Sequence, residues 1–444
     1  MSIPLAERRL THGQQLAYSA FWAATNFIWG ALLVVVIASQ VGQIAPQHKA
    51  QIVGGMLSLG AIPALIVPLI IGPLSDRCSS RLGRRRPYIL FGTIVNLFGL
   101  VLMYGAGEWG NIPVFIATYF LLQVGNNIAT AAYSGVIPDL VPVGQRGMAS
   151  GYMAVMSQLG TLSGVLSSGF LASGHRYLLI YSILFVVLLC GMLVTLAFVK
   201  ETPLEKPPPR LNWAEHIKSL WIDPRTHSDF AWVWLTRALV MLGFYAVLPF
   251  IQYFLGDVIG DPEPARTSAS VSALVLLAAV VSGYIGGHLS DKLGRKKIVY
   301  VANGFMALMC VGLVFCTTLE WTLAVGTLFG FGYGAYISVD WALGTDVLPN
   351  PHNAAKDMAV WHVSMTLPQA LAALPAGFLI ASFGTRIEFN RSGPGGALLG
   401  YGGDLGAEWF TRHYEHAGYA ALFLAAGSCL ALGALLLRNV KGSR

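Results

Sequence analysis

Long runs of apolar residues alternate with short polar segments along the whole chain. A transmembrane helix needs about 20 predominantly apolar residues, and twelve runs meet that requirement. They cover residues 17–39, 52–74, 88–106, 113–137, 148–172, 176–199, 229–256, 268–289, 298–317, 320–344, 358–383 and 417–438. The pattern therefore predicts an all-α polytopic membrane protein with twelve transmembrane spans.

One charged segment occurs twice, each time between two apolar runs. The first copy is Gly72–Pro87, which holds one aspartate and five arginines, and the shorter second copy is 287–297. The copies are separated by about half of the 444 residues. Spans four and ten also end alike, in Asp139 and Asp346, each followed closely by a proline. A unit that recurs at this distance indicates duplication of a membrane bundle.

The duplication predicts two six-helix bundles related by pseudo-two-fold symmetry. We expect an N-terminal bundle in residues 1–199 and a C-terminal bundle in 229–444. Between them, 200–228 contains three consecutive prolines and mixed charges, and it is too short to fold as a domain. It is predicted to be a cytoplasmic linker. The glycine-rich segment 384–416 is expected outside the membrane, either as a cap or as a flexible loop.

Composition and charge agree with a membrane location. The chain is 55% hydrophobic and 11% charged, whereas soluble domains carry roughly 25% charged residues. Its net charge is +7, but the basic residues lie in short loops, so nucleic acid is not an expected partner. With the N-terminus in the cytoplasm, inner segments hold 21 Lys and Arg and outer segments hold 6. The positive-inside rule then predicts a multi-pass protein of the plasma (inner) membrane with both termini cytoplasmic.

Several functional classes lack the sequence patterns that they need. The five cysteines lie mainly inside apolar runs and have no zinc-ligand spacing, so neither disulfides nor a metal site is expected. The sequence has no Walker loop, nucleophile elbow or His-Glu-x-x-His pattern. We therefore expect neither an enzyme nor direct ATP drive, and no cofactor.

The two charged repeats contain candidates for a latch between the halves. Acids and bases at the inner ends of the spans can pair across the two bundles and must separate when the inner side opens. The candidate residues are Asp76, Arg77, Arg84, Asp139, Asp291, Arg295 and Asp346. Arg85 and Arg86 are expected to contact lipid head groups instead.

The pattern Gly-x-x-x-Asp-Arg followed by Gly-Arg-Arg resembles the signature loop of the major facilitator superfamily. Its longer form, from Asp76 to Tyr88, is similar to that of the glycoside–pentoside–hexuronide transporters and the sucrose–proton symporters. Span four, with its paired Asn126 and Asn127, also resembles the sucrose symporters. Gln123 and Ser134 stand where those symporters have a coupling aspartate and a sugar-binding arginine. These departures argue against sucrose itself as the substrate.

Span four carries a polar face independently of that resemblance. Gln123, Asn126, Asn127 and Thr130 recur at helical spacing. Polar groups in a membrane must face partners or water, so the stripe is either an interhelical contact or a cavity wall. Amides suit a neutral polyhydroxylated ligand because each offers donors and an acceptor. We favour the cavity wall.

The superfamily resemblance implies that spans one, four, seven and ten line a central cavity. Aromatic rings in these spans can stack on a sugar, although ordinary packing is an equal alternative for any single ring. The candidate substrate-binding residues are Asn26, Trp29, Gln123, Asn126, Asn127, Tyr133, Tyr245, Gln252, Tyr336 and Trp341.

Asp340 is the carboxylate that lies well inside a predicted span. A membrane-embedded acid is costly and calls for a named partner. At a rise of 1.5 Å per residue, the depths of Arg237 in span seven and Asp340 in span ten differ by about 6 Å. An arginine side chain is long enough to bridge that difference. His362 of span eleven lies at a similar depth. We predict that these three residues form a coupling and gating cluster; a static pair that fixes span seven to span ten is the alternative.

Together these patterns predict a monomeric secondary active transporter. Its substrate would be a small neutral polar solute, most simply a sugar or glycoside, moved by alternating access with symport of a proton. The first alternative is proton-coupled efflux of a drug or natural product. The second is a sensor that binds solute without transporting it, although the predicted inner loops are too short for a signalling domain.

Overall fold

The computed structural model describes residues 9–201, 213, 221–349, 354–389 and 410–440. Twelve long helices account for most of them, labelled α1 to α12 in chain order. They are α1 (His12–Ile44), α2 (Pro46–Asp76), α3 (Arg86–Glu108), α4 (Ile112–Tyr133), α5 (Arg146–Ala172), α6 (Tyr177–Phe198), α7 (Ser228–Asp257), α8 (Pro264–Leu293), α9 (Arg295–Val314), α10 (Leu319–Asp346), α11 (Ala354–Phe383) and α12 (His416–Leu436). The predicted all-α fold with twelve spans is confirmed.

Eleven of the long helices in the described ranges are apolar enough to cross a membrane. The twelfth is α5, which has 27 residues and is long enough to span. Glycine and serine replace large apolar residues along much of it. Gly160 and Gly164 lie against the Ala23 and Phe27 carbonyls of α1, where an added Cβ would come within 2.2 and 2.0 Å of the oxygens. The small residues of α5 therefore serve close helix packing, which lowers its hydropathy.

Helix pairing repeats between the two halves of the chain. In the first half, α1 packs on α5 and α6, α4 packs on α2 and α3, and α3 packs on α6. In the second half, α7 packs on α11 and α12, α10 packs on α8 and α9, and α9 packs on α12. Adding six to each helix number converts the first set into the second. This correspondence is the pseudo-two-fold relation between two six-helix bundles.

The bundles meet along two seams, α2 with α11 and α5 with α8. In the first, a Cβ on Gly54 would lie 2.4 Å from the Ala373 carbonyl oxygen, and a Cβ on Gly377 would lie 2.3 Å from a carbonyl oxygen of α2. In the second, a Cβ on Gly169 would lie 2.3 Å from the Ala269 Cβ. We call the face where α1 begins and α12 ends the terminal face, and the opposite face the distal face. These glycine contacts lie toward the distal face.

Two of the central helices change form in their distal halves. The α-helical hydrogen bonding of α1 is interrupted by a π-helical segment at Leu32–Val36, and that of α7 by a 3-10 turn at Leu248–Phe250. Pro249 lacks an N–H donor, which explains the interruption in α7. The helical segments beyond these points, Ile37–Ile44 and Ile251–Asp257, contact each other. Segments of this kind often mark positions where a helix can bend.

A short antiparallel pairing follows α11 on the distal face. Strand β1 (Thr385–Phe389) pairs with β2 (Phe410–Tyr414), with Thr385 opposite Tyr414. Residues 390–409, most of the predicted outer loop, lie outside the described part of the chain. The strands are an addition to the predicted all-α fold. The predicted linker is also described only at its two ends and at Trp213.

Candidate functional site

Helices α1, α4, α7 and α10 lie between the two seams. On one side, α1 and α4 are joined by aromatic contacts, such as that of Trp29 with Tyr119 at 6.3 Å between ring centroids. On the other, α7 and α10 are joined by a buried ion pair between Arg237 and Asp340. The region between the seams is therefore the candidate functional site, with one wall from each bundle.

The ion pair brings together two residues that the sequence singled out by depth. Arg237 Nε lies 3.3 Å from Asp340 Oδ2, and the side chains are only 1% and 3% exposed. Tyr336, one helical turn before Asp340, donates a hydrogen bond of 2.9 Å to the other carboxylate oxygen, Oδ1. Both charges are thus withdrawn from solvent. A buried pair of this kind is costly unless each partner is compensated.

Aromatic rings and a thioether complete the surroundings of Arg237. Its guanidinium carbon lies 4.6 Å from the ring centroid of Trp361 and 5.8 Å from that of Trp341. Arg237 Nη2 also lies 3.8 Å from the Met365 sulfur. Guanidinium–aromatic contacts offset part of the cost of burying the charge. Trp361 is fully buried, and no sequence pattern had singled it out.

His362 follows Trp361 in α11 and is exposed. Trp341, next to Asp340 in α10, is 50% exposed. A histidine exposed within a spanning helix faces a water-filled cavity more readily than lipid. Trp361, next to His362, and Asp340, next to Trp341, both contact Arg237. The exposed surfaces of His362 and Trp341 therefore lie close to the ion pair. The three residues of the predicted coupling cluster are therefore neighbours in space, and their role stays a prediction.

The amides of α4 form the facing wall and are buried. Gln123, Asn126 and Asn127 are 5%, 8% and 9% exposed. Gln123 Nε2 donates to the Tyr119 hydroxyl at 2.9 Å, and Asn127 Nδ2 donates to the Gln123 carbonyl at 2.8 Å. Asn126 Oδ1 is buried without a hydrogen-bond partner among the described residues. The stripe therefore turns away from lipid and retains unused hydrogen-bonding capacity.

Other predicted binding residues have mixed surroundings. Asn26 is partly exposed and bonds to the Trp22 carbonyl of its own helix at 2.8 Å. Tyr133 is buried, and its hydroxyl donates to the Tyr18 carbonyl of α1. Tyr245 is partly exposed and packs edge-on against Phe244. Tyr133 thus joins α1 to α4 in this structure, whereas Asn26 and Tyr245 remain accessible.

Gln252 lies away from this region, contrary to its predicted place in the central cavity. It follows the interruption of α7 and donates from Nε2 to Ser39 Oγ of α1 at 2.8 Å. The adjacent Tyr253 hydroxyl donates to the Ala38 carbonyl, also at 2.8 Å. Sequence analysis placed Gln252 in the correct helix but could not predict its depth relative to the opposite bundle. Gln252 belongs to the contact that closes the distal face.

An ion pair completes that closure. Lys49 Nζ of α2 lies 2.6 Å from Asp257 Oδ1 of α7, and the Tyr419 hydroxyl donates to Asp257 Oδ2 at 2.5 Å. Lys49 Nζ also lies 4.7 Å from the ring centroid of Tyr253. We call Ser39, Lys49, Gln252, Tyr253 and Asp257 the distal gate. The Lys49–Asp257 ion pair and the hydrogen bonds of Gln252 and Tyr253 therefore join the two bundles in their distal half.

On the terminal face, several of the predicted latch residues pair within their own bundle. Arg84 Nη2 lies 3.1 Å from Asp139 Oδ2 in the first bundle, and Arg295 pairs with Asp346 in the second. For these four residues, the predicted pairing between the two halves was wrong in this conformation. Helix ends in one bundle are closer to one another than to the opposite bundle when the terminal face is open.

Arg85 is the centre of the first cluster, although it was expected to contact lipid. It pairs with Asp76 and with Asp139, the latter at 3.0 Å, and donates to Ser75 Oγ at 2.7 Å. Its side chain is only 8% exposed. Arg86 was also expected at the lipid surface, but its Nη2 donates to the Leu196 carbonyl at 2.6 Å. In a run of three arginines, only the helix geometry decides which one turns inward.

Two latch candidates remain, Arg77 and Asp291. Arg77 Nη1 donates to the Pro73 carbonyl of its own helix at 3.3 Å. The side chain of Asp291 lies outside the part of the chain that the structure describes. Lys49 and Asp257, by contrast, make the closest ion pair between bundles in the described residues, but sequence analysis did not select them. In the sequence they are an acid and a base at the distal ends of spans, where charged residues are common.

Two six-helix bundles with a polar site between them define a polytopic membrane protein of the transporter class. The chain belongs to the Major Facilitator Superfamily, whose family model matches residues 16–373. It is a multi-pass membrane transporter and not an enzyme.

Curated relatives include transporters of different kinds. Sucrose transport protein SUT5 of Oryza sativa subsp. japonica is 24% identical over 436 residues, covering 80% of each chain. Multi-drug resistance efflux pump PmrA of Streptococcus pneumoniae (strain ATCC BAA-255 / R6) is 23% identical over 332 residues, covering 70% of this chain and 76% of PmrA.

Solved structures share the fold. The nucleoside transporter NupG has a TM-score of 0.69 at 11% identity, covering 96% of this chain and 98% of NupG. A bacterial homologue of the human lysosomal transporter Spinster, inward-facing and unoccupied, has a TM-score of 0.64 at 17% identity, covering 86% of this chain and 84% of that chain.

Proposed function

We propose that this protein is a proton-coupled symporter of a small neutral polar solute, a sugar or glycoside. The observation that carries the proposal is the pairing of two unlike walls between the bundles. The α4 amides of Gln123, Asn126 and Asn127 form one wall, and the buried Arg237–Asp340 pair forms the other. One wall offers neutral hydrogen-bonding groups to the solute, and the other offers an acid–base pair to the proton.

The amide wall suits a neutral ligand with many hydroxyl groups. Each amide supplies both donors and an acceptor, and the free Asn126 Oδ1 can accept from a ligand hydroxyl. Nearby aromatic rings such as Trp29 can stack on the apolar face of a sugar. The similarity to Sucrose transport protein SUT5 supports the same class of ligand.

The ion pair suits proton coupling. When Asp340 takes up a proton, its attraction to Arg237 is lost, and the contact between α7 and α10 weakens. Because α7 also carries Gln252 and Asp257 of the distal gate, a shift of α7 links the protonation state to the closure of the distal face. Binding of the solute and of the proton then favours the same conformational change.

We also propose that the terminal face is cytoplasmic, that the protein is a monomer, and that it resides in the plasma (inner) membrane. The excess of Lys and Arg in the segments on the terminal face supports this orientation. In that orientation the structure is inward-facing. The two bundles are proposed to be residues 1–199 and 229–444, joined by the linker 200–228.

The test is uptake into proteoliposomes with a panel of labelled sugars, with and without an imposed pH gradient. We expect concentrative uptake of at least one sugar when the gradient is present. In Asp340→Asn, gradient-driven uptake should be lost while exchange between equal pools of that sugar persists. The double variant Arg237→Gln/Asp340→Asn covers the case in which the single variant does not fold. Glu320→Gln, an exposed acid at the distal start of α10, is the matched control.

Efflux of a drug or natural product is the second candidate. It is favoured by an aromatic stack on the α7–α10 side, in which the Phe244 and Tyr333 rings lie 4.4 Å apart and nearly parallel. Planar organic cations bind to such surfaces. The similarity to Multi-drug resistance efflux pump PmrA agrees with it. Export of an organic cation without flux of any sugar would replace the symporter proposal with this one.

A further inference from the structure

A second polar chamber lies between the bundles on the distal face, away from the central site. Its volume is about 350 Å³, at the lower end of the range of about 300–1,000 Å³ typical of ligand pockets. Gln43, His175 and Glu263 stand at its mouth and are exposed. Ser39, Tyr177 and Gln252 line its buried end, and the Lys49–Asp257 pair of the distal gate also lines the chamber.

The buried end of the chamber holds polar groups that are not fully used. Gln252 is 6% exposed, and its Oε1 accepts no hydrogen bond from the described residues. Tyr177 is 5% exposed, and its hydroxyl lies near the side chains of Gln43 and Ser39. Leaving a polar group buried and unpaired, as Gln252 Oε1 is, costs about 1–3 kcal/mol. An unpaired acceptor beside a tyrosine hydroxyl at the end of one chamber indicates a position that a polar ligand or its waters would occupy.

The character of the lining selects the ligand. The Lys49 and Asp257 charges neutralise each other at 2.6 Å, and Glu263 at the mouth pairs with Arg266 at 3.2 Å, so these lining charges are compensated. The other polar lining groups are amides, hydroxyls and the His175 imidazole, together with the ring of Tyr253. Amides, hydroxyls and one aromatic face match a neutral polyhydroxylated molecule.

We propose that this chamber is a reception site for a neutral polyol at the distal face. The solute binds there before the gate opens, bonding to the free Gln252 Oε1 and to the Tyr177 hydroxyl beside it, and competing for the Gln252–Ser39 hydrogen bond that joins α7 to α1. Binding therefore weakens the distal gate at the moment when solute arrives from that side. The class of ligand rests on the proposed function, whereas the position of the site does not.

The site can be tested without knowledge of the transported solute. Gln43→Cys introduces an exposed thiol at the mouth of the chamber. Its reaction with a membrane-impermeant maleimide, added from the distal side, is timed over a concentration series of sucrose, glucose or mannitol. We expect the reaction to slow by about tenfold when a polyol is at ten times its dissociation constant, because about one chamber in eleven is then empty.

The controls separate the chamber from other effects. Wild-type chain gives the background labelling of the five native cysteines. Glu320→Cys places an exposed thiol on the distal face outside the chamber, and its reaction should not change with polyol. Tyr177→Phe removes the hydroxyl at the buried end, and we expect it to raise the half-protecting concentration about 2- to 10-fold. Tyr152→Phe, which loses a hydroxyl on the terminal face, should leave that concentration unchanged.

The outcomes also distinguish this proposal from the transport proposal. Protection of Gln43→Cys without sugar uptake in proteoliposomes would support the chamber and count against symport. Sugar uptake without protection by the transported sugar, or equal protection of Glu320→Cys, would overturn the chamber and leave symport standing. Protection that is unchanged in Tyr177→Phe would overturn the proposed binding at the buried end.

Discussion

The buried charged residues of this protein each need a partner of opposite charge. Arg237 and Asp340 are almost fully withdrawn from solvent, and each is the counter-charge of the other. Arg85 is likewise buried and serves two acids at once. For the Arg237–Asp340 pair, removing one partner leaves a charge that the surroundings cannot solvate.

The Arg237–Asp340 pair should contribute strongly to stability as well as to coupling. Asp340→Asn and Arg237→Gln should each lower the free energy of unfolding by about 3–5 kcal/mol, because each leaves one buried charge unpaired. The double variant should lose clearly less than the sum of the two single losses. Unfolding of the purified protein in detergent, followed by tryptophan fluorescence, measures all three. Additive losses would mean that the two residues do not act as a pair.

The arginines that follow α2 should contribute very unequally to the stability of the protein. Arg85→Ala should lower the free energy of unfolding by about 1–3 kcal/mol, because the buried bonds of Arg85 to Asp76, Asp139 and Ser75 are lost while Arg84 still pairs with Asp139. Arg81→Ala, at an exposed position of the same segment, should change it by no more than about 0.5 kcal/mol. Detergent unfolding of the two variants side by side provides the comparison. Equal losses would mean that the inward position of Arg85 contributes nothing.

At the scale of helices, contact between the bundles depends on glycines that allow backbones to approach. Gly54 and Gly377 join α2 to α11, and Gly169 joins α5 to α8. A side chain at any of these points would meet a neighbour at 2.3–2.4 Å. Because these contacts lie toward the distal face, they stabilise the conformation that is closed there.

Filling this seam should shift the conformational balance. Gly54→Ala should destabilise the distally closed state by about 1–3 kcal/mol, the usual cost of overpacking, and so raise the population of the distally open state. Gly72→Ala in the same helix has open space around its Cβ and should have no such effect. Spin labels on the distal ends of α2 and α11 would report the separation in both variants. An unchanged distance distribution in Gly54→Ala would contradict the role of this seam.

In the whole molecule, a gate on the distal face joins the two bundles. The distal gate joins α1, α2 and α7 across the bundles. On the terminal face, by contrast, the described ion pairs of the charged repeats stay within one bundle. An alternating-access cycle requires the gate to break when the molecule opens to the other side.

Loss of the gate ion pair should open the distal face. In Lys49→Met, an Asn26→Cys reporter in α1 should react about tenfold faster with an impermeant maleimide added from the distal side, a shift of about 1.4 kcal/mol. Reaction from the terminal side should slow, because each molecule that opens to the distal side is lost from the population that is open to the terminal side. The charge-swapped pair Lys49→Asp/Asp257→Lys should restore part of the closure. If labelling rose equally from both sides, loosening of the whole fold would explain the result better.

The number of spans, the duplication and the similar depth of Arg237 and Asp340 can be read from the sequence alone. These follow from local quantities: the length of an apolar run, the recurrence of a segment, and the rise per residue along a helix. The tertiary structure decided which arginine turns inward, why Gln252 belongs to the distal gate, and that Lys49 meets Asp257. Such contacts depend on how helices rotate, bend and tilt against one another. That geometry is set by packing between segments distant in the chain, which no local pattern contains.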